Sequence, residues 1–258
     1  LETKVSDLYS KTRKLTSYLT WRQNDVVSTE ESVITGSADH SAAQGTYSIN
    51  VTALAQAHMI GSNSQTDATS ALNQSGSFTL NGESISVALT DSLETIRDSI
   101  NAASLNMSDK VTATIINTTL VIERQSTGTA VLDFSADDGI AVALGFINTS
   151  PPDANVFTNE LKVAQDLAAT VNSVAITSAV NNNITSIISG VTLNFKGEGA
   201  SEIEVERDTD TIKTAFEDFV DAYNAVMELA EEQSEVSLSG AGSDVDSVGV
   251  LQGEASVS

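Results

Sequence analysis

From Asp208 to Gln233 the apolar residues Ile212, Phe216, Phe219, Tyr223, Val226 or Met227, and Ala230 recur at steps of three and four. This spacing predicts a helix of about six or seven turns with a heptad-like seam along one face. Asp208 or Thr209 supplies an N-cap, and acidic side chains crowd the first turns, where the helix dipole favours them. At the opposite end Leu1, Val5, Leu8, Thr12, Leu15 and Leu19 step in the same way and predict a helix over residues 1–23. Thr12, Thr16 and Ser17 weaken that helix in isolation, so it needs a partner. The two seams are expected to bury against each other, with everything between them carried on a helical stalk.

The intervening chain changes period. Residues 24–45 are polar, punctuated by Gly36 and Gly45, and read as a linker and turn. Tyr47, Ile49, Val51 and Ala53 alternate with polar neighbours as a half-buried strand does, and 54–60 could continue it. After the polar stretch 61–76, Phe78 and Leu80 alternate, Asn81-Gly82 marks a type I′ turn, and Ile85, Val87 and Leu89 alternate again, a hairpin pattern. Asp91, with Glu94 three residues on, opens a helix whose Leu93, Ile96 and Ile100 share a face. Strands follow at 111–116, 120–124 and 129–134, then a short helix at 140–146 and a break at Pro151-Pro152. Strands resume at 167–171 and 174–177 around an Asn172-Ser173 turn. Residues 183–189 read as helical turns ended by Gly190. Val191, Leu193 and Phe195 alternate, Gly197 to Gly199 turns, and Ile203 and Val205 lead into the last helix. The tail from Glu235 reads as a loop.

The expected fold class is therefore α+β and multi-domain: a helical, coiled-coil-like part from both chain ends carrying two nested β-rich lobes. Its expected divisions are a helical domain at 1–35 and 207–258, a β-rich domain at 36–75 and 150–206, and an inserted α+β domain at 76–149. The 258 residues suffice for two or three small cores.

Charge and composition then remove whole classes of function. A formal net charge of −23 argues against a nucleic-acid groove and against adsorption to an anionic membrane. No cysteine is present, which excludes disulfides and cysteine zinc sites. No catalytic constellation stands out, and no cofactor or metal site is expected. His40 lies in a polar stretch and reads as surface, and His58 reads as an edge or core residue. Asp137-Asp138-Gly139 and Asp208-Thr209-Asp210 lack the ligand alternation of a calcium loop and fit a turn and a cap. Trp21 reads as a packing residue. The first residue is not Met, and the chain is expected to be trimmed at both termini.

Four stretches, in order, resemble the bacterial flagellar filament-capping proteins, the hook-associated protein 2 family. They are Gly45 to His58, with Leu54-Ala55-Gln56-Ala57 carrying the identity; Ser92 to Ala103; Ala169 to Ser178 with Asn183 to Lys196; and Phe216 to Asn224. Ser173 departs from the glycine usual there. The resemblance implies an exported structural protein, not an enzyme, at the distal tip of the flagellum. There, helical legs point down to the filament from a plate of β lobes that promotes flagellin folding and insertion. Implied partners are flagellin, copies of itself in a homo-oligomeric ring of about four to six chains, and an export chaperone, with no nucleic acid and no membrane. Leu8, Leu15, Phe216, Phe219 and Tyr223 on the leg helices are the candidate protein-interaction residues. The polar stretch Asn24 to Gly45 is expected to let each leg move separately. The alternatives are a hook–filament junction protein and a tip adhesin for mucin or glycan.

Overall fold

The computed structural model describes residues 2–149, 156–234, 236–238 and 245–248. The expected N-terminal helix is two: α1 (Glu2–Thr16) and α2 (Tyr18–Arg22). Ser17 breaks it with extended backbone, φ −74° and ψ 124°. The Thr20 hydroxyl donates to the Lys14 carbonyl at 2.7 Å and Trp21 Nε1 donates to the Leu15 carbonyl at 2.6 Å. Side-chain donors thus take carbonyls that a continuous helix would have paired.

The segment expected as a linker is instead β1 (Asn24–Ser28) and β2 (Ile34–Ala38), followed by β3 (Gly45–Ala53) and β4 (Met59–Gly61). Next come β5 (Gly76–Leu80), β6 (Glu83–Val87), α3 (Leu93–Ser104), β7 (Val111–Ile116), β8 (Thr119–Arg124), β9 (Phe134–Asp137), α4 (Ile140–Leu144) and β10 (Glu160–Lys162). The chain continues with β11 (Leu167–Val171), β12 (Val174–Ser178), β13 (Ile184–Ile188), β14 (Val191–Phe195), β15 (Gly199–Arg207) and α5 (Thr209–Ser234). The tail, read as a loop, contains the paired strands β16 (Val236–Leu238) and β17 (Val245–Val248). The break expected at Pro151-Pro152 lies outside the described residues.

One hydrophobic core gathers Ile34, Ile49, Leu167, Leu193, Phe195 and Ile203 between the antiparallel sheet β1-β15-β3-β11-β12 and the sheet β13-β14-β2. A second gathers Phe78, Leu80, Ile96, Ile100, Phe134 and Phe146 from the sheets β10-β4-β8-β7 and β6-β5-β9 with α3 and α4. The polar look of 24–38 misleads because its pairing is distant: β1 lies against β15 and β2 against β14. Even Asn24 is buried, its amide donating to the carbonyls of Asp39 and Ala42. Likewise β4 and β10 pair with each other and, through β4, with β8 in the second-core sheet, although the sequence placed both outside the 76–149 insert.

Two further local readings change. Residues 184–188 are a strand, not helical turns. Ile184, Ile187 and Ile188 mimic a helical step because a register shift interrupts the β13–β14 ladder, and their β-branching favours the strand. Gly190 then turns at φ +76°, where a Cβ would stand 2.7 Å from the Ala42 nitrogen. The α3 cap is Ser92, whose hydroxyl accepts from Thr95 N at 3.3 Å, while the Asp91 carboxylate accepts from Ala88 N at 2.8 Å in the preceding turn. The strand expected at 129–134 begins only at Phe134, because the preceding residues serve a junction described below.

The β5–β6 turn has Asn81 at φ 46° and Gly82 at φ 90°, and the β11–β12 turn has Asn172 at φ 46° and Ser173 at φ 68°. Both are the left-handed pair of a type I′ hairpin. Serine bears a steric cost there that glycine does not, partly offset by glycine's freer unfolded chain. Ser173→Gly is expected to raise stability by about 0.5–1 kcal/mol, read as a higher denaturant midpoint at unchanged slope. A lower midpoint would show that the serine conformation is unstrained.

Candidate functional site on the terminal helices

The terminal helix pair grows out of the first-core sheet without an intervening linker. β1 and β15 pair from Asn24 against Arg207 to Ser28 against Ile203. α2 ends just before β1 and α5 starts just after β15. Asp208 N donates to the Gln23 carbonyl at 2.9 Å, and the Arg207 guanidinium donates to the Trp21 carbonyl. Asp208 is also the N-cap, its carboxylate accepting from Thr211 N at 2.7 Å. The expectation of independently moving legs on a loose 24–45 segment is thus replaced by two helices continuing two paired strands.

α1 and α5 pack antiparallel. Trp21 meets Phe216 edge-on with ring centroids 5.6 Å apart, and Lys11 Nζ lies 3.1 Å from Asp218 Oδ2 with Lys14 at 3.6 Å. Trp21 is thus a packing residue. The lysines hold the Asp218 carboxyl below the usual carboxylate range, chiefly through the Lys11 hydrogen bond, and Asp218 in turn raises Lys11. α5 is otherwise mostly acidic, while α1 carries Lys4, Lys11, Arg13 and Lys14, so the pair is complementary in charge as well as shape.

The seam is rotated from the one the sequence spacing picked out. Ala215 and Ala222 are buried against the stalk, and Leu8, Leu15, Ile212, Phe219 and Val226 are half-buried. Phe216 and Tyr223, which belonged to the expected seam, sit on the flank at 47% and 48% exposure, in line with exposed Val220 and Met227. These four recur at i, i+4, i+7 and i+11, one row on the helix surface. Of the five candidate interaction residues, Phe216 and Tyr223 are about half exposed, Phe216 packing on Trp21 and Tyr223 stacking on Phe219, and Leu8, Leu15 and Phe219 are half-buried. Val220 was missed, and Met227 was read only as an alternative to Val226 in the seam. Their signal is a second apolar row beside the first, which separates from it only once the packed face is known. Val5, Tyr9, Tyr18 and Leu19 add exposed apolar surface on α1 and α2.

The carboxylates considered for calcium have other occupations. Asp137 accepts from Ala141 N at 2.8 Å, and Asp138 accepts from the Ser77 hydroxyl at 2.6 Å. Among the described residues no group of His, Asp or Glu is arranged to hold a metal ion. His40 is exposed and His58 is fully buried.

Comparison with known proteins agrees with this architecture. The family model for the flagellar hook-associated protein 2 N-terminus matches residues 1–58, and that for its C-terminus matches residues 164–258. The lateral flagellar hook-associated protein 2 of Vibrio parahaemolyticus is 26% identical over 238 residues, covering 83% of this chain and 52% of that protein. The B-type flagellar hook-associated protein 2 of Pseudomonas aeruginosa is 28% identical over 253 residues, covering 89% and 52%. The chain spans about half the length of the curated relatives it matches. The crystal structure of the flagellar cap protein FliD from Escherichia coli superposes with a TM-score of 0.69 at 24% identity, covering 89% of this chain and 67% of that one. FliD from Pseudomonas aeruginosa superposes with a TM-score of 0.64 at 25% identity, covering 81% and 99%. With both end segments matched in order and the fold shared, the chain belongs to the flagellar hook-associated protein 2 family.

Proposed function

We propose that this chain forms part of the structural cap at the distal, extracellular tip of the bacterial flagellar filament, where it promotes folding and insertion of flagellin during elongation. On this reading the paired terminal helices are the leg, the first-core sheets with their strands from both halves of the chain are one head lobe, and the second core is the inserted lobe. Flagellin and copies of the same chain are its partners, an export chaperone holds it before secretion, and several copies form the ring. The work is steric: a leg fixed to its lobe presents a row of apolar side chains to the subunit below. The observation that carries the reading is the row Phe216, Val220, Tyr223 and Met227, exposed on a helix pair that continues directly from β1 and β15. An exposed apolar row on an otherwise acidic helix is a surface for protein contact.

Gold-labelled antibody against this chain, viewed by electron microscopy on intact cells of the source organism, tests the assignment. A label cluster at each free filament tip is expected. Label at the hook junction assigns the chain to that junction instead, and label over the cell body with bare tips overturns the cap.

A further inference from the structure

Where the chain passes between the two cores it does so twice, and the two passages lie side by side. Gln56 N donates to the Gln165 carbonyl at 2.9 Å, and Gln165 Nε2 donates to the Leu54 carbonyl at 2.8 Å. A third segment, the 125–132 loop after β8, docks onto them. Gly128 N donates to the Gln56 carbonyl at 3.2 Å, Thr129 N to Asp166 Oδ1 at 3.0 Å, and the Thr127 hydroxyl to the Ala179 carbonyl at 2.5 Å. Asp166 and Ala179 flank β11 and β12 of the first-core sheet, whereas Leu132 is buried in the second core. The loop therefore ties one core to the other.

His58 holds the second-core end of this tie. It is fully buried, with Phe157 against its ring at a centroid distance of 4.4 Å. Leu132 N donates to Nδ1 at 3.0 Å, and Nε2 lies 3.0 Å from Glu160 Oε1. A backbone N–H can only donate, so Nδ1 is the bare nitrogen and Nε2 carries the proton donated to Glu160. The ring thus links the entering segment, the exiting strand β10 and the docked loop through one tautomer. The charged groups facing it are Glu160 from β10 and Arg124 from β8. Arg124 is itself paired with Asp109 and donates to the Ala130 carbonyl in the same loop.

We propose that His58 is a proton-operated latch between the two cores: protonation at Nδ1 sets donor against donor at Leu132 N and releases the 125–132 loop from its seat. Burial lowers the His58 pKa, an effect that outweighs the Glu160 hydrogen bond and charge acting to raise it. The unfolded chain then takes up the proton at a higher pH than the folded one. The latch is intact above the ordinary histidine value of 6.5 and weakens as pH falls below it towards the lowered folded value.

Amide hydrogen exchange on the full chain, corrected for intrinsic rates, reads this directly. From about pH 7.5 to about pH 5, protection at Gly128, Thr129 and Leu132 is expected to fall roughly tenfold or more, while β3, β15, β7 and β8 keep theirs. His58→Asn keeps an acceptor for Leu132 N but cannot titrate, and its protection is expected to stay flat with pH. Nitrogen-15 spectra of the wild-type imidazole, with His40 as the exposed control, keep the test decisive if that variant does not fold. The spectra are expected to show His58 as the Nε2–H tautomer, changing in step with the loop amides. Protection independent of pH in the wild type, an equal loss in His58→Asn, or imidazole titration with no change at Leu132 overturns the latch.

Discussion

Phe134→Ala is expected to cost about 3–5 kcal/mol and to unravel the second core while the first core and the terminal helix pair persist. Phe134 is fully buried and packs with its ring centroid 5.8 Å from Phe78 and 6.0 Å from Phe146. The two neighbouring rings are themselves fully buried in the same cluster, which also holds Leu80, Ile140 and Leu144, so they are not free to fill the space. Truncation therefore removes both the transfer energy of the ring and its dispersion partners. The two cores are joined by short passages and one docked loop, so their unfolding need not be a single transition. The lone Trp21 sits on the terminal helices, and its emission reports only that end of the molecule. The expected result is early loss of amide protection in β7 and β8 with an almost unchanged midpoint for Trp21 emission. If both probes shift together by the full amount, the two cores fold as one cooperative unit and the division fails.

The largest functional effect is expected from the triple change Val220→Gln, Tyr223→Gln and Met227→Gln. All three side chains are exposed, and although Tyr223 stacks on Phe219 with ring centroids 6.4 Å apart, the helix pair is expected to keep its helix content with at most a small loss of stability. Phe216 is left in place because it packs on Trp21. Glutamine is a good helix former and adds no charge to an already acidic helix. If the row is the contact surface for the neighbouring subunit, each large anchor is worth about 2 kcal/mol. Their joint loss, about 6 kcal/mol if additive, would weaken the contact by about four orders of magnitude. Cells carrying only this variant are expected to secrete flagellin without assembling filaments and to lose their swimming halo. Normal filaments on such cells would move the contact to the lobes.

Much of the architecture was legible because its signals are local. Asn81-Gly82 and Asn172-Ser173 marked two hairpins through their tolerance of positive φ. The alternation of Val191, Leu193 and Phe195 marked a buried face, and the periodicity of Leu93, Ile96 and Ile100 marked α3. That helices at both chain ends pack together was also legible, since each seam needs a partner, but the break at Ser17 and the face of α5 that is buried were not. Other features depend on partners far away in sequence. β1 and β2 are strands because β15 and β14 complete their hydrogen bonds, not because residues 24–38 alternate. Ile184 to Ile188 looked helical because a register shift in the ladder disguises the strand period. The flank of α5 that is buried carries Ala215 and Ala222, small side chains that a reading of periodicity built on large ones passes over. His58 in sequence is a histidine beside a strand. Only the meeting of Leu132 and Glu160 across the junction, more than seventy positions away in each case, sets its tautomer and removes it from water. Sequence by itself determined the elements whose stability is local. Tertiary structure decided the rest, because backbone pairing and burial are contracts between segments that no single window of the chain contains.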